Sequence, residues 1–145
     1  MKSIVVGVDL NEADEAVIQE AVSLARDTQA TLHLVHAFPA ETSVMDYVVY
    51  VPVDPEKRNA AISDVQEKLE SLASELQDKG VQARGRIRFG HPHDEVLEYA
   101  EEVQAEVIVV GTQSRNAVSR ALLGATADKI VRRSPIPILV VPTME

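Results

Sequence analysis

The residues best suited to holding an anionic ligand lie in one loop, which runs from Gly111 to Gly124 between an apolar run and a helix. Small residues and free backbone N–H groups ahead of a helix form a nest for an anion, and the helix dipole adds to the attraction. Side chains in and just after the loop that can supply positive charge or a hydroxyl are Thr112, Ser114, Arg115, Arg120 and Thr126. This arrangement predicts a phosphate-binding site.

Three more cations follow this loop, but they have a simpler interpretation. Lys129, Arg132 and Arg133 fall towards the end of the helix after Gly124. Cations complement the negative end of a helix dipole, so we interpret these three as structural.

Asp9 closes the first apolar run, SIVVGVD, and two interpretations of it stay open. Its carboxylate could act as a general base or accept a hydrogen bond from a ligand hydroxyl. Alternatively, an acid at a strand-to-helix turn could cap the helix that follows.

The histidines offer a weaker indication of chemistry. His91 and His93, followed by Asp94 and Glu95, resemble a metal cluster. However, a spacing of two residues across a proline does not give the i, i+4 geometry of helical metal ligands. We therefore favour a solvated helix N-terminus whose acids suit the dipole, and we expect no metal. His36 is predicted to be a hydrogen-bonded strand residue.

Several reaction types are excluded by missing motifs. The chain has no cysteine, which rules out disulfides and thiolate chemistry. The first strand is not followed by Gly-x-Gly-x-x-Gly, and no Walker loop is present. No serine, histidine and acid stand at spacings typical of a catalytic triad. We expect a protein that is not an enzyme.

Composition narrows the class of protein further. The 145 residues are 46% apolar and 26% charged, which is typical of one globular domain, residues 1–145. The net charge is −9, which disfavours non-specific binding to nucleic acid or anionic lipid. The chain carries no signal-peptide pattern, and its apolar runs are far shorter than a membrane span. We expect a soluble, cytoplasmic protein.

Alternating elements must position these residues. Predicted strands cover residues 3–9, 31–38, 82–89, 106–111 and 137–141, and helical periodicity fills each gap. This alternation predicts a single doubly wound α/β domain with a five-stranded parallel sheet, commonly in the order 3-2-1-4-5. In that order Asp9 and the loop after Gly111 face each other across one crevice. The long connection from Pro39 to Asp54 could be a flap, a dimer contact, an extra strand or a surface loop.

The chain as a whole resembles the universal stress proteins of the UspA superfamily. The resemblance rests on four blocks in order: IVVGVDLNEADEAVIQEAVSLA, LHLVHAF, GHPHDEVLEYAEEVQAEVIVVGT and ALLGATADKIVRRSPIPILVVP. It implies the sheet order 3-2-1-4-5 and a homodimer that pairs through the last strand, from Pro137 to Val141. Prolines at both ends of that strand are also typical of a sheet edge.

The resemblance also implies ATP or AMP binding, with Mg²⁺ as a possible companion. Nucleotide-binding members carry Gly-x-x-Gly, nine residues, then Gly-Ser/Thr. Gly111 and Gly124 match this pattern, Asp9 matches an acid near the nucleotide, and Ala37 matches a position that lines the adenine. The implied nucleotide-binding residues are Val8, Asp9, Ala37, Val110, Gly111, Thr112, Ser114, Arg115, Gly124, Ala125 and Thr126.

Two departures from the family pattern predict a reduced affinity. Ser114 replaces the second glycine, and Ala125 replaces the hydroxyl residue after the last one. Thr126 is one position away and would need a shifted turn to compensate. The expected function is a dimeric stress-response regulator that binds an adenine nucleotide. The alternative is an interaction protein of the same fold that binds no nucleotide.

Overall fold

The computed structural model describes residues 1–40, 54–112 and 123–143, in which strands and helices alternate as predicted. The strands are β1 Ser3–Gly7, β2 Thr31–Phe38, β3 Ala83–Phe89, β4 Val107–Gly111 and β5 Ile138–Val141. The helices are α1 Asp14–Thr28, α2 Pro55–Asp78, α3 Pro92–Glu102 and α4 Ala125–Arg133. All neighbouring strands are parallel, and their order is β3-β2-β1-β4-β5, which confirms the predicted topology.

Four strands are slightly shorter than predicted. β1 ends at Gly7 because the backbone N–H groups of Asp9 and Leu10 donate to the Asp14 carboxylate and not to a neighbouring strand. The predicted first residues of β3, β4 and β5 lie just outside those strands: Gln82, Glu106 and Pro137. Such differences of one residue are normal at strand ends, and Pro137 has no N–H to donate to a ladder.

Both faces of the sheet are covered, as its continuous apolar runs require. One face packs under α1 and α2, with a core that includes Ile4, Val6, Leu32, Leu34, Leu69 and Leu76. The other packs under α3 and α4, with a core that includes Val5, Val35, Val96, Ile108, Val110 and Ile130. None of the described helices is long and apolar enough to cross a membrane.

Two histidines are buried within this framework. His33 in β2 lies with one ring nitrogen 3.3 Å from the Tyr99 hydroxyl, and burial, aided by Arg84 and Arg86, lowers its pKa. His93 in α3 is also buried, and burial lowers its pKa in the same way. The folded protein therefore resists the protonation of both rings.

This burial predicts a loss of stability in mild acid. As the pH falls below 6.5, His33 and His93 bind protons more readily in the unfolded chain than in the folded protein. The free energy of unfolding therefore decreases. Urea denaturation between about pH 7 and pH 5 measures this slope. We expect the double variant His33→Gln/His93→Gln to show a shallower slope. Parallel slopes for the variant and the wild type would contradict the prediction.

Candidate functional site

A recess opens between the carboxyl ends of β1 and β4, where the strand order reverses. This is the place where open α/β sheets bind ligands. Eight of the predicted site residues line the recess: Val8, Asp9, Ala37, Val110, Gly111, Thr112, Gly124 and Thr126. Segments distant in sequence therefore meet around one cavity.

One hydrogen bond joins the two ends of the predicted phosphate loop, and another links the loop to β5. The Gly124 N–H donates to the Thr112 carbonyl at 2.7 Å, and the Thr112 N–H donates to the Val141 carbonyl at 2.9 Å. A Cβ at Gly111 would lie 2.6 Å from the Thr143 methyl and 3.2 Å from a Val17 methyl, so the Thr143 side chain would have to move to admit it. The intervening residues 113–122, which include Ser114, Arg115 and Arg120, lie outside the described part of the chain.

Helix α4 begins at the recess without a side-chain cap. Its N-cap is Gly124, at φ −59° and ψ 157°, and no side chain in the described residues caps it. The first turn of a helix leaves N–H groups without intrahelical acceptors, here those of Ala125, Thr126 and Ala127. Together with the helix dipole, these groups make the end of α4 attractive to an anion.

The hydroxyl groups lie differently from the family pattern. The Ala125 side chain is exposed and does not line the recess, whereas Thr126 is half-buried and does. Thr126 lies in the first turn of helix α4 and lines the recess, while its part in binding phosphate stays a prediction. The Thr112 hydroxyl oxygen accepts a hydrogen bond from the Thr143 N–H at 3.2 Å and lies 3.4 Å from the Thr143 hydroxyl oxygen, so the two hydroxyls can also bond to each other.

Asp14 is a site residue that the sequence did not reveal. Its carboxylate is only 8% exposed and accepts hydrogen bonds from the Asp9 N–H at 2.9 Å and the Leu10 N–H at 2.7 Å. Burial raises the pKa of this carboxyl group, although the two backbone donors oppose the shift. Leu10 is held at a φ of +62°, which is uncommon for a residue with a side chain. Asp14 thus fastens the turn that places Asp9 at the recess.

The helix-capping interpretation of Asp9 was wrong. The N-cap of α1 is Ala13, and the Asp9 side chain is exposed at the edge of the recess. The local signal for this turn is the Asn11 side chain, which accepts from the Ala13 N–H at 2.9 Å. The alternative, a carboxylate facing a ligand, fits this placement.

The histidines behave partly as predicted. A ring nitrogen of His36 donates to the Val8 carbonyl at 2.9 Å, which confirms a hydrogen-bonded strand residue. His93 was expected to be solvated, but it is buried, stacks on His91 and lies 3.4 Å from Asp94. Across residues 1–40, 54–112 and 123–143, no group of three or more histidine or acidic side chains could hold a metal ion.

Of the three cations interpreted as structural, Arg132 and Arg133 lie in the last turn of α4 and form ion pairs, whereas Lys129 lies one turn earlier. Arg132 pairs with Asp128 one turn earlier at 3.0 Å, and Arg133 lies 3.9 Å from Asp94. None of Lys129, Arg132 and Arg133 lines the recess.

Comparison with known proteins gives the same family across nearly the whole chain. The model of the universal stress protein family matches residues 1–142. Universal stress protein G of Shigella flexneri is 32% identical over 143 residues, which are 97% of this chain and 98% of that protein.

Solved structures share the fold. A universal stress protein from Archaeoglobus fulgidus in complex with dAMP superposes with a TM-score of 0.72 at 22% identity, covering 97% of this chain and 98% of that one. A universal stress protein in complex with cAMP superposes with a TM-score of 0.71 at 24% identity, covering 99% and 98%. On its sequence and its strand order, this chain belongs to the universal stress protein family.

Proposed function

We propose that this protein is a small stress-response regulator that binds an adenine nucleotide, ATP or AMP, in the recess between β1 and β4. One observation carries the proposal: a single cavity is lined both by apolar side chains and by the N-terminus of α4, which no described side chain caps. Two structures of the same fold are complexes with dAMP and cAMP, which supports this choice of ligand.

The apolar end of the recess fits a nucleobase. Val8 and Val110 are 3% and 5% exposed, and Ala37 is half-buried beside them. These side chains form an apolar wall against which an adenine ring would pack. The Asp9 carboxylate at the edge would accept hydrogen bonds from the ribose hydroxyls.

The polar end fits phosphate. The N–H groups of Ala125 and Thr126 would donate to phosphate oxygens, and the hydroxyls of Thr112 and Thr126 would add two donors. We also propose that Ser114 and Arg115, within residues 113–122, contact the phosphates, and that a Mg²⁺ ion accompanies them. Because Ala125 supplies no hydroxyl, the affinity should be lower than in members with serine or threonine there.

The proposal includes no chemical step. The His36 ring is engaged with the Val8 carbonyl, and Asp14 is held by two backbone donors, so neither is poised as a base.

We also propose a cytoplasmic homodimer that pairs through β5, from Pro137 to Val141. Its support is that β5 is an edge strand with half-buried Ile138, Leu139 and Val140; sedimentation equilibrium, where a monomer would contradict it, tests the dimer.

Calorimetric titration with MgATP and AMP tests the ligand, with Gly124→Val as the informative variant. Gly124 has a negative φ that valine also adopts, so the change adds bulk at the recess without backbone strain. We expect the affinity to fall by about tenfold or more, since bulk at Gly124 keeps phosphate away from the α4 amides.

Ala61→Val is the control, because it adds a similar branched side chain at an exposed site on α2, outside the recess. Its affinity should stay within about twofold of the wild type. If the folded wild type gives no heat at about 1 mM nucleotide, the nucleotide proposal is wrong, and the interaction protein without a nucleotide is favoured.

A further inference from the structure

Strand β3 forms one edge of the sheet, and its charged face is not fully covered. Arg84, Arg86 and Arg88 alternate with other residues and therefore point to the side of the sheet where α3 and α4 pack. Arg88 forms ion pairs with Glu95 at 3.0 Å and with Glu102 at 2.9 Å. On the same face, Arg84 and Arg86 are exposed among the described residues.

Arg84 and Arg86 are exposed cations in a strongly acidic chain. Neither guanidinium forms an ion pair or hydrogen bond with any residue in the described ranges, although Arg86 lies 5.8 Å from the Tyr99 ring centroid. The net charge of the chain is −9. Arg86, after Arg88, helps to lower the pKa of the Glu102 carboxyl group, but neither Arg84 nor Arg86 forms a direct ion pair within the described ranges. The two arginines therefore present a local positive surface on an edge strand.

The backbone of β3 also has an open side. At the two ends of the β2–β3 ladder, Leu32 donates to the Gln82 carbonyl and Gly90 donates to the Phe38 carbonyl. In a parallel ladder this alternation turns the N–H and C=O groups of residues 84, 86 and 88 towards β2. Those of Gly85, Ile87 and Phe89 therefore face away from the sheet.

Accessibility supports this assignment. Gly85 is exposed, and because it has no side chain, the exposed surface is its backbone. The Ala83 carbonyl, by contrast, already accepts a hydrogen bond from the Gln77 side chain at 2.7 Å. The open backbone thus spans residues 85–89, which is long enough to pair with a short extended segment.

We propose that the β3 edge binds an extended acidic segment of a partner protein as an additional strand. The outward N–H and C=O groups of Gly85, Ile87 and Phe89 would form the ladder. Carboxylates at alternate positions of the added strand would lie on one face, beside Arg84 and Arg86. Main-chain bonds would give affinity, and the arginines would select acidic sequences.

A second copy of β3 does not fit this edge. Pairing two copies would bring Arg84 and Arg86 of both chains together on one face, and like charges in that position repel. The edge is also separate from the proposed nucleotide recess, with β2 between β3 and β1. It lies at the opposite end of the sheet from β5, so neither proposed site blocks it.

The test uses ¹⁵N-labelled full-length protein and the peptide acetyl-Thr-Glu-Val-Glu-Val-Glu-Thr-amide. We expect binding below about 1 mM, with slower amide hydrogen exchange at Gly85, Ile87 and Phe89. The same peptide with lysine in place of glutamate should not bind. No binding of the acidic peptide at about 1 mM, or binding without slower exchange at these three amides, would overturn the proposal.

Two matched pairs separate strand addition from general charge attraction. The variant Arg84→Gln/Arg86→Gln should bind about tenfold more weakly, whereas Lys57→Gln/Lys68→Gln removes the same charge from α2 and should change affinity less than about twofold. N-methylation either of the three glutamate amides or of the amides of the two valines and the last threonine gives two peptides of equal composition. Only one set can face β3, so only one peptide should lose binding. Equal effects within either pair would overturn the proposal.

Discussion

Gly85→Ala is expected to lower the free energy of unfolding by about 2–3 kcal/mol. A Cβ at Gly85 would lie 2.9 Å from Leu69 Cβ, 3.1 Å from the Leu69 carbonyl oxygen and 3.3 Å from the carbonyl carbon. Two of these atoms belong to the backbone of α2, which cannot rotate away as a side chain can. The helix must therefore move off β3, which disturbs the packing of Leu69 against the core.

Gly7→Ala provides the matched control, because Gly7 is also a strand glycine. A Cβ there would lie 3.4 Å from Val110 and 3.7 Å from Val96, which is ordinary van der Waals contact. We expect a change within about 0.5 kcal/mol, since alanine also reduces the entropy of the unfolded chain. Urea denaturation of both variants measures the contrast, and an equal loss at the two positions would mean that the close approach of α2 does not set the cost.

Asp14→Ala is expected to lower the free energy of unfolding by about 2–3 kcal/mol and to weaken nucleotide binding. The change leaves the N–H groups of Asp9 and Leu10 without their acceptor. It also releases Leu10 from its φ of +62°, so the turn that places Asp9 at the recess loses its shape. Chemical denaturation and calorimetric titration with MgATP measure the two effects.

Asp14→Asn and Glu15→Ala sharpen this test. Asparagine keeps one side-chain oxygen, so it should lose about half as much stability as alanine. Glu15 is exposed on the same turn of α1 and should have little effect when truncated. Because burial raises the pKa of Asp14, the wild type should gain stability relative to Asp14→Asn as the pH falls through that raised pKa towards 3.8. A variant as stable as the wild type at every pH would show that Asp14 does not hold the turn.

The fold was readable from the sequence because its signals are local and repeated. Apolar runs without alternation predict strands covered on both faces, and helical periodicity between them predicts parallel connections. Gly80 follows the end of α2 at a φ of +85°, a conformation for which glycine after a helix is a readable local signal. The position of the recess followed from the strand order alone, without knowledge of any side-chain contact.

The features that could not be predicted from the sequence depend on tertiary contacts that no local pattern encodes. Asp14 reads as one of several acids at the start of α1, and only the folded chain shows that it is buried against two backbone donors. The polar residues around His93 are typical of a solvated helix N-terminus, but the His93 side chain is buried in the fold. Gly85, between two arginines, gives no sign that the α2 backbone crosses above it.

The two open edges of the sheet differ in what assembly they permit. Pairing β5 with β5 of another copy uses the same surface twice, so the assembly closes at two chains with a twofold axis. Pairing β5 with β3 would use two different surfaces and could continue without limit as a fibre. Arg84 and Arg86 would then lie beside ILVV, a strand with no carboxylate to receive them. A contact between β5 and β3 would therefore leave both arginines without a carboxylate, which disfavours polymerisation through these two edges.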